Sequence, residues 1–190
     1  MQGRGIMLKN IIERLIRKQE AMTGESADFM RDLYAGSPTG FWRFALFLPM
    51  SRHRGALPLD AACAVRIAAV HAEDCGPCLQ TVINLSLAAG ARPEILRAAA
   101  EDDRAAMDEE TRLAFEFAKH LSARDARSEE LRSAVERRWG KAGLAEIALA
   151  IASTRVFPTV KRAMGYGQAC QRVVIAGEAT DAALREARAA

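Results

Sequence analysis

The sequence predicts an all-α fold in a single domain, and three observations carry that expectation. Alanine, leucine, arginine and glutamate dominate the 190 residues, β-branched runs of alternating pattern are nearly absent, and apolar residues recur at helical spacing. With half its residues apolar, the chain is long enough to bury a core and short enough that one domain is the default.

Each element follows from local pattern. Ile11, Ile12, Leu15 and Ile16 form the apolar stripe of an amphipathic opening helix, with Lys9, Glu13, Arg14, Arg17 and Lys18 opposite. Residues Ser26 to Tyr34 give a second, short helix. Gly36, Ser37, Pro38 and Gly40 then break the chain before the aromatic run Phe41, Trp42, Phe44, Phe47, which is read as core or subunit interface ahead of a pocket wall. Pro49 to Pro58 is expected as a loop, its His53 a solvated side chain between arginines.

From Pro58 an alanine-rich helix runs to about Ala72, with Asp60 placed against its N-terminal dipole. Glu73, Asp74, Gly76 and Pro77 make a tight turn, and Leu79, Val82, Ile83 and Leu87 resume helical spacing until Gly90. Pro93 starts a short helix to about Ala100. After Asp108, Leu113, Phe117 and Leu121 are expected on one buried face, and Ser128 is read as the N-cap of a helix ending at Trp139 and Gly140. Leu144, Ile147, Ala148 and Ile151 form a further stripe, and Pro158 is expected to kink or restart the chain. The organisation is thus a helical extension over 1–57, a core over 58–176, and a loosely held tail over 177–190 opened by Gly177.

Composition narrows the function. A formal charge of +3, from 27 basic and 24 acidic side chains spread along the chain, lacks the clustered basic face of a nucleic-acid binder. The longest apolar stretches, Phe41 to Met50 and Leu144 to Ile151, fall short of a bilayer span and are interrupted by Arg43 and Glu146, so no membrane association is expected. The N-terminus lacks the uninterrupted apolar region of a signal peptide, which points to the cytoplasm, where thiols are kept reduced.

That places weight on the spacing of the four cysteines. Cys75 and Cys78 form a Cys-x-x-Cys pair at the start of a helix, where residues three apart share a face and lie within disulfide reach. The helix dipole there favours thiolate, the form that attacks peroxides and disulfides, and lowers a thiol pKa from its free value of about 8.5. Redox use leads, with a zinc half-site and plain structural thiols as alternatives. Zinc would need two more ligands from Cys63, Cys170, His53, His71, His120 or carboxylates, and no second Cys-x-x-Cys or His-x-x-x-His pair is present, so neither metal nor cofactor is expected. Thioredoxins carry the same tetrapeptide, but no strand precedes it here and the βαβ pattern is missing.

The stretch from Ala64 through Glu73-Asp74-Cys75-Gly76-Pro77-Cys78 to Gly90, together with Pro93 to Leu96, Glu109 to Leu121 and Gly143 to Gly165, resembles the carboxymuconolactone decarboxylase family, in its alkylhydroperoxidase (AhpD-like) branch. The resemblance spans roughly Asp60 to Gly165, about half the chain on the scale of one domain. It implies an AhpD-like helical bundle, assembled as a homo-oligomer (trimer or hexamer), that reduces a peroxide substrate and is regenerated by a cellular dithiol. It makes Cys78 the peroxide-attacking thiol and Cys75 the resolving partner facing the reductant. Dipole reasoning alone favours Cys75 as the more acidic thiol.

The sequence departs from that pattern at the proton relay. The family's glutamate, twelve residues before the first cysteine, and its histidine, four after the second, are here Cys63 and Val82. His71, one turn before Cys75, is the candidate replacement. Glu73 and Asp74 are read as solvated caps that would oppose thiolate formation if ionised close by. Cys63 and Cys170 are read first as buried space-fillers, and as alternative resolving thiols only if near Cys78. Lys161 and Arg162 are surface charges or the edge of an anion site. The alternative to an enzyme is a redox-responsive or small-ligand-binding scaffold that kept the dithiol and lost the relay.

Overall fold

An alanine-rich helix at the centre organises everything else. The computed structural model describes residues 2–167 and 173–180, with side chains from Lys9 onward. Helix α5, Leu59–His71, carries Ala61, Ala62, Ala64, Ala68 and Ala69, all buried. Side chains that small let neighbouring helices come close on several sides at once. Around it stand α6 (Gly76–Ala88), α7 (Pro93–Glu101), α8 (Glu109–Ser122) and α9 (Arg127–Ala163), joined by a 3-10 turn at Arg104–Ala106. Among the described residues the architecture is all-α apart from one two-stranded hairpin, β1 (Val174–Ile175) and β2 (Glu178–Ala179).

A second apolar cluster lies outside this core. Helix α1 (Gln2–Thr23) contributes Ile12 and Ile16, α2 (Asp28–Gly36) Phe29 and Met30, and α3 (Pro38–Ala45) Phe41 and Phe44, with Phe157 and Val160 of α9 and Met164 just after it packed against them. The aromatic run is therefore mostly packing: Phe44 meets Phe29 and Phe157 edge to face, at 6.0 and 5.3 Å between ring centres. It is helical from Pro38, because Ser37 caps α3 through the Gly40 amide at 3.1 Å. A short helix, α4 (Phe47–Ser51), takes up Pro49 in its first turn, so the loop begins at Arg52. Arg31 ties α2 to α1 by pairing with Glu13 and Glu20, which holds the Glu13 carboxyl down at about 2. Ile11 and Leu15 of the opening stripe stay exposed.

Several local expectations shift by a fraction of a turn. The buried face of α8 is Thr111, Ala114, Phe115, Ala118 and Ser122 with Phe117, so Leu121 is exposed and Leu113 only partly covered. Ser128 does not cap α9: the Asp125 carboxylate accepts the Arg127 amide at 2.9 Å, and the Ser128 hydroxyl donates to the Asp125 carbonyl. At Gly140 the backbone turns to φ 64°, ψ −167°, a region open essentially to glycine, which produces the expected break. Pro158, by contrast, sits within helical backbone and the helix continues to Ala163. By length and composition α9 is long and apolar enough to cross a membrane, unlike the interrupted runs weighed above; 44 % of its apolar window is buried here, against α4, α5 and α8. Gly177, expected to open the tail, is the turn of the hairpin, with Ala176 and Gly177 both at positive φ and the Thr180 amide returning to the Val173 carbonyl at 2.8 Å. Gln80 of α6 holds the hairpin by exchanging two bonds with the Val174 backbone.

Candidate functional site: a dithiol at the mouth of α6

The turn that leaves α5 delivers two sulfur atoms to the start of α6. Its amides fold back, Glu73 to the Val70 carbonyl and Asp74 to that of His71, and Asp74 takes a left-handed φ of 50° that reverses the chain. Cys75 is then the extended N-cap residue, with φ −124° and ψ 95°, and Cys78 is the third residue of the helix. Pro77 fits the first turn because its missing N–H had no partner there. Cys75 and Cys78 are joined as a disulfide, their Cα atoms 5.3 Å apart. Both are buried, at 5 % and 6 % exposure, so Cys75 is not the open face expected for it.

Such a short loop makes a weak staple. Closing four residues removes little entropy from the unfolded chain, and the expected contribution is about 2 kcal/mol. Urea denaturation with and without reductant checks this. A loss of twice that size on reduction would mark the bridge as a structural brace instead of a reversible pair.

Glu73 is not the solvated cap the sequence suggested. Its side chain is 10 % exposed, paired with Arg155 at 2.5 Å and Arg162 at 3.6 Å, while Arg162 also donates to the Glu73 carbonyl at 2.6 Å. Two guanidiniums from the end of α9 thus offset the carboxylate beside the dithiol and pin the turn in place.

His71 occupies the last turn of α5, half-buried, with its enclosed Nε2 lacking a hydrogen-bond partner. Burial pushes its pKa below the ordinary 6.5, opposed by the Ala100 carbonyl, with Asp102, Lys119 and Asp74 as the charges around it. Those neighbours belong to the α7 and α8 side, and the ring takes no part in the cavity wall described below. Folding disfavours the charged imidazole, whereas the unfolded chain protonates it below about 6.5. Stability contributed by His71 is therefore complete above that pH and is lost as pH falls below it. His71→Gln should flatten this slope in pH-dependent urea titrations. An unchanged slope would contradict the assignment.

Cys78 opens on a cavity of about 630 Å³ between the two apolar clusters. Its wall draws on α1, α2, α4, α5, α6 and α9, and it includes Cys63 and Val82, the positions of the missing relay, but not Cys75. The Cys63 thiol is pushed up by burial and bonds Ser86, which lies two turns beyond Cys78, about 12 Å along α6. Cys63 therefore stands at the far end of α6 from the dithiol, away from the place a resolving thiol requires. Cys170 lies outside the described residues. Among the described residues no group of three or more His, Cys, Asp or Glu could hold a metal ion.

Two further residues shape the site. Arg66 donates to the carbonyls of Ser51, His53 and Ala62, fixing the loop after α4 against α5. Glu146 of α9 is 1 % exposed, and its Oε2 accepts the amides of Gly55, Ala56 and Leu57 at 2.9, 2.5 and 3.1 Å. Its signal in the sequence was a carboxylate within an apolar helical stripe, where only an obligatory partner justifies burial. Lys161 lines the cavity, as its anion-site reading requires, whereas Arg162 is engaged by Glu73. Compared with family models, with curated proteins and with solved structures, the chain finds no match in any of the three.

Proposed function

We propose that the chain is a thiol-dependent peroxidase that cycles the Cys75–Cys78 pair. The observation that carries the reading is a short-loop disulfide at a helix N-terminus, with Cys78 alone of the pair opening on the cavity. In the reduced protein the α6 dipole favours thiolate at both cysteines, and Cys78 is the one that faces the cavity. That thiolate attacks the distal peroxide oxygen: an S–O bond forms, the O–O bond breaks, and the alkoxide leaves with a proton as alcohol. Cys75 then attacks the sulfenic sulfur, water departs, and the disulfide forms. An external dithiol returns two electrons and two protons by thiol-disulfide exchange. The alkylhydroperoxidase resemblance fits this order of events, and a homo-oligomer fits the exposure of Trp42, Leu46 and Phe47.

Stopped-flow peroxide consumption by the reduced protein is the test. Cys78→Ser should abolish turnover, and Cys75→Ser should stop it after one equivalent. Undiminished turnover by Cys78→Ser would end the proposal.

One observation favours a second reading. Cys63 and Val82 replace a proton relay, and His71 lies off the cavity wall, so no described imidazole faces Cys78 across it. A redox-responsive ligand binder would need none. Its signature is a ligand affinity or oligomeric state that changes on reduction, without peroxide turnover.

A further inference from the structure

The cavity beside Cys78 has two kinds of surface. Phe29, Met30, Leu48, Val82, Leu85 and Phe157 give it an apolar wall. Among the described residues, Arg52, Arg54, Arg66 and Lys161 add four cations, against the single acid Glu25. A volume of about 630 Å³ falls in the range of pockets that enclose a whole small molecule. A small neutral peroxide would need neither this volume nor this charge.

The cations are unequally committed. Arg66 spends its donors on three backbone carbonyls, so it supplies positive potential more than contacts. Arg52 and Arg54 are exposed and form no ion pair among the described residues. Lys161 is partly desolvated, its ammonium 5.4 Å from the Phe29 ring centre with Glu25 as an opposing charge; burial lowers its pKa. The Cys63 thiol, neutral through burial, adds no negative charge. An anion reaching Arg54 and Lys161 meets positive potential that the protein leaves largely unanswered, while an attached hydrocarbon replaces water along the apolar wall.

We propose that the cavity binds an amphiphilic carboxylate, with its chain along the wall that carries Cys78 and its head at the Arg52, Arg54 and Lys161 rim. This rests on the peroxidase reading only for the reacting group, which is then a hydroperoxide on such a chain. Binding itself needs no redox chemistry, so the two are tested apart.

Calorimetry on the oxidised protein, with dodecanoate and dodecanol kept below their aggregation limits, compares one tail under two heads. Dodecanoate should bind about tenfold tighter, and the Arg54→Gln/Lys161→Met protein should lose that preference while keeping its affinity for dodecanol. Arg112→Gln, on α8 away from the cavity, should change nothing. Dodecanoate should also slow alkylation of Cys63, read by peptide mass spectrometry, which separates cavity binding from adsorption on the surface. Equal affinity for the two heads, a preference that survives the double substitution, or unaltered Cys63 labelling would overturn the proposal. If the parent protein shows that head-group preference and no peroxide turnover, the ligand assignment stands and the peroxidase reading falls.

Discussion

Glu146→Ala is expected to cost about 3–5 kcal/mol of folding stability. One carboxylate oxygen accepts three consecutive backbone amides, those of Gly55, Ala56 and Leu57, at the point where the loop after α4 turns into α5. Removing it leaves the buried Leu57 amide and the part-buried amides of Gly55 and Ala56 unpaired at the edge of the main core, and each donor that water cannot reach costs about 1–3 kcal/mol. Glu146→Gln should recover part of the loss, since an amide oxygen can replace Oε2. Its –NH₂ would occupy the place of Oε1, which has no hydrogen-bond partner. Urea midpoints of the two variants decide this, and a loss under 1 kcal/mol in the alanine variant would show that the three bonds do not hold the loop. The same substitution should weaken binding at the cavity, because the loop carries Arg52 and Arg54.

Phe115→Ala should be comparably damaging, at about 3–5 kcal/mol. Among the described residues Phe115 is the bulkiest fully enclosed side chain, and it lies on α8, which packs along α5. Alanines on α5 cannot swing in to fill the void as longer side chains would, so most of the cavity term persists. Since Phe115 does not line the cavity beside Cys78, the folded fraction should retain its ligand affinity. Chemical denaturation paired with calorimetry checks both halves. A destabilisation below 1 kcal/mol would mean that α8 collapses onto α5.

What the sequence made legible was local chemistry. The seat of the dithiol followed from a cysteine pair flanking Gly76 and Pro77, because helix starts are written in adjacent residues. The all-α class and the break at Gly140 followed in the same way. Relations across the chain did not. Glu73 read as a surface acid because its partner Arg155 is 82 positions away. The buried side of α8 was misplaced because Leu113, Phe117 and Leu121 make as good a stripe as Thr111, Ala114, Phe115 and Ala118 until the facing helix is known. Pro158 continued a helix because packing on both sides held α9 together through it. The cavity could not be read at all, being assembled from six helices spread between Gln19 and Lys161.

The depth at which the two sulfur atoms sit has a kinetic meaning. On the proposed redox reading, a protein-sized reductant would have no straight path to either one, and regeneration would follow opening of the corner between α5 and α6. That corner is tied to α9 by two arginines, whose contacts with Glu73 an opening has to break. In a protein that cycles this bond, throughput is paced by backbone breathing at residues 72–77, and loosening either arginine would speed the return half of the cycle before it altered the forward half.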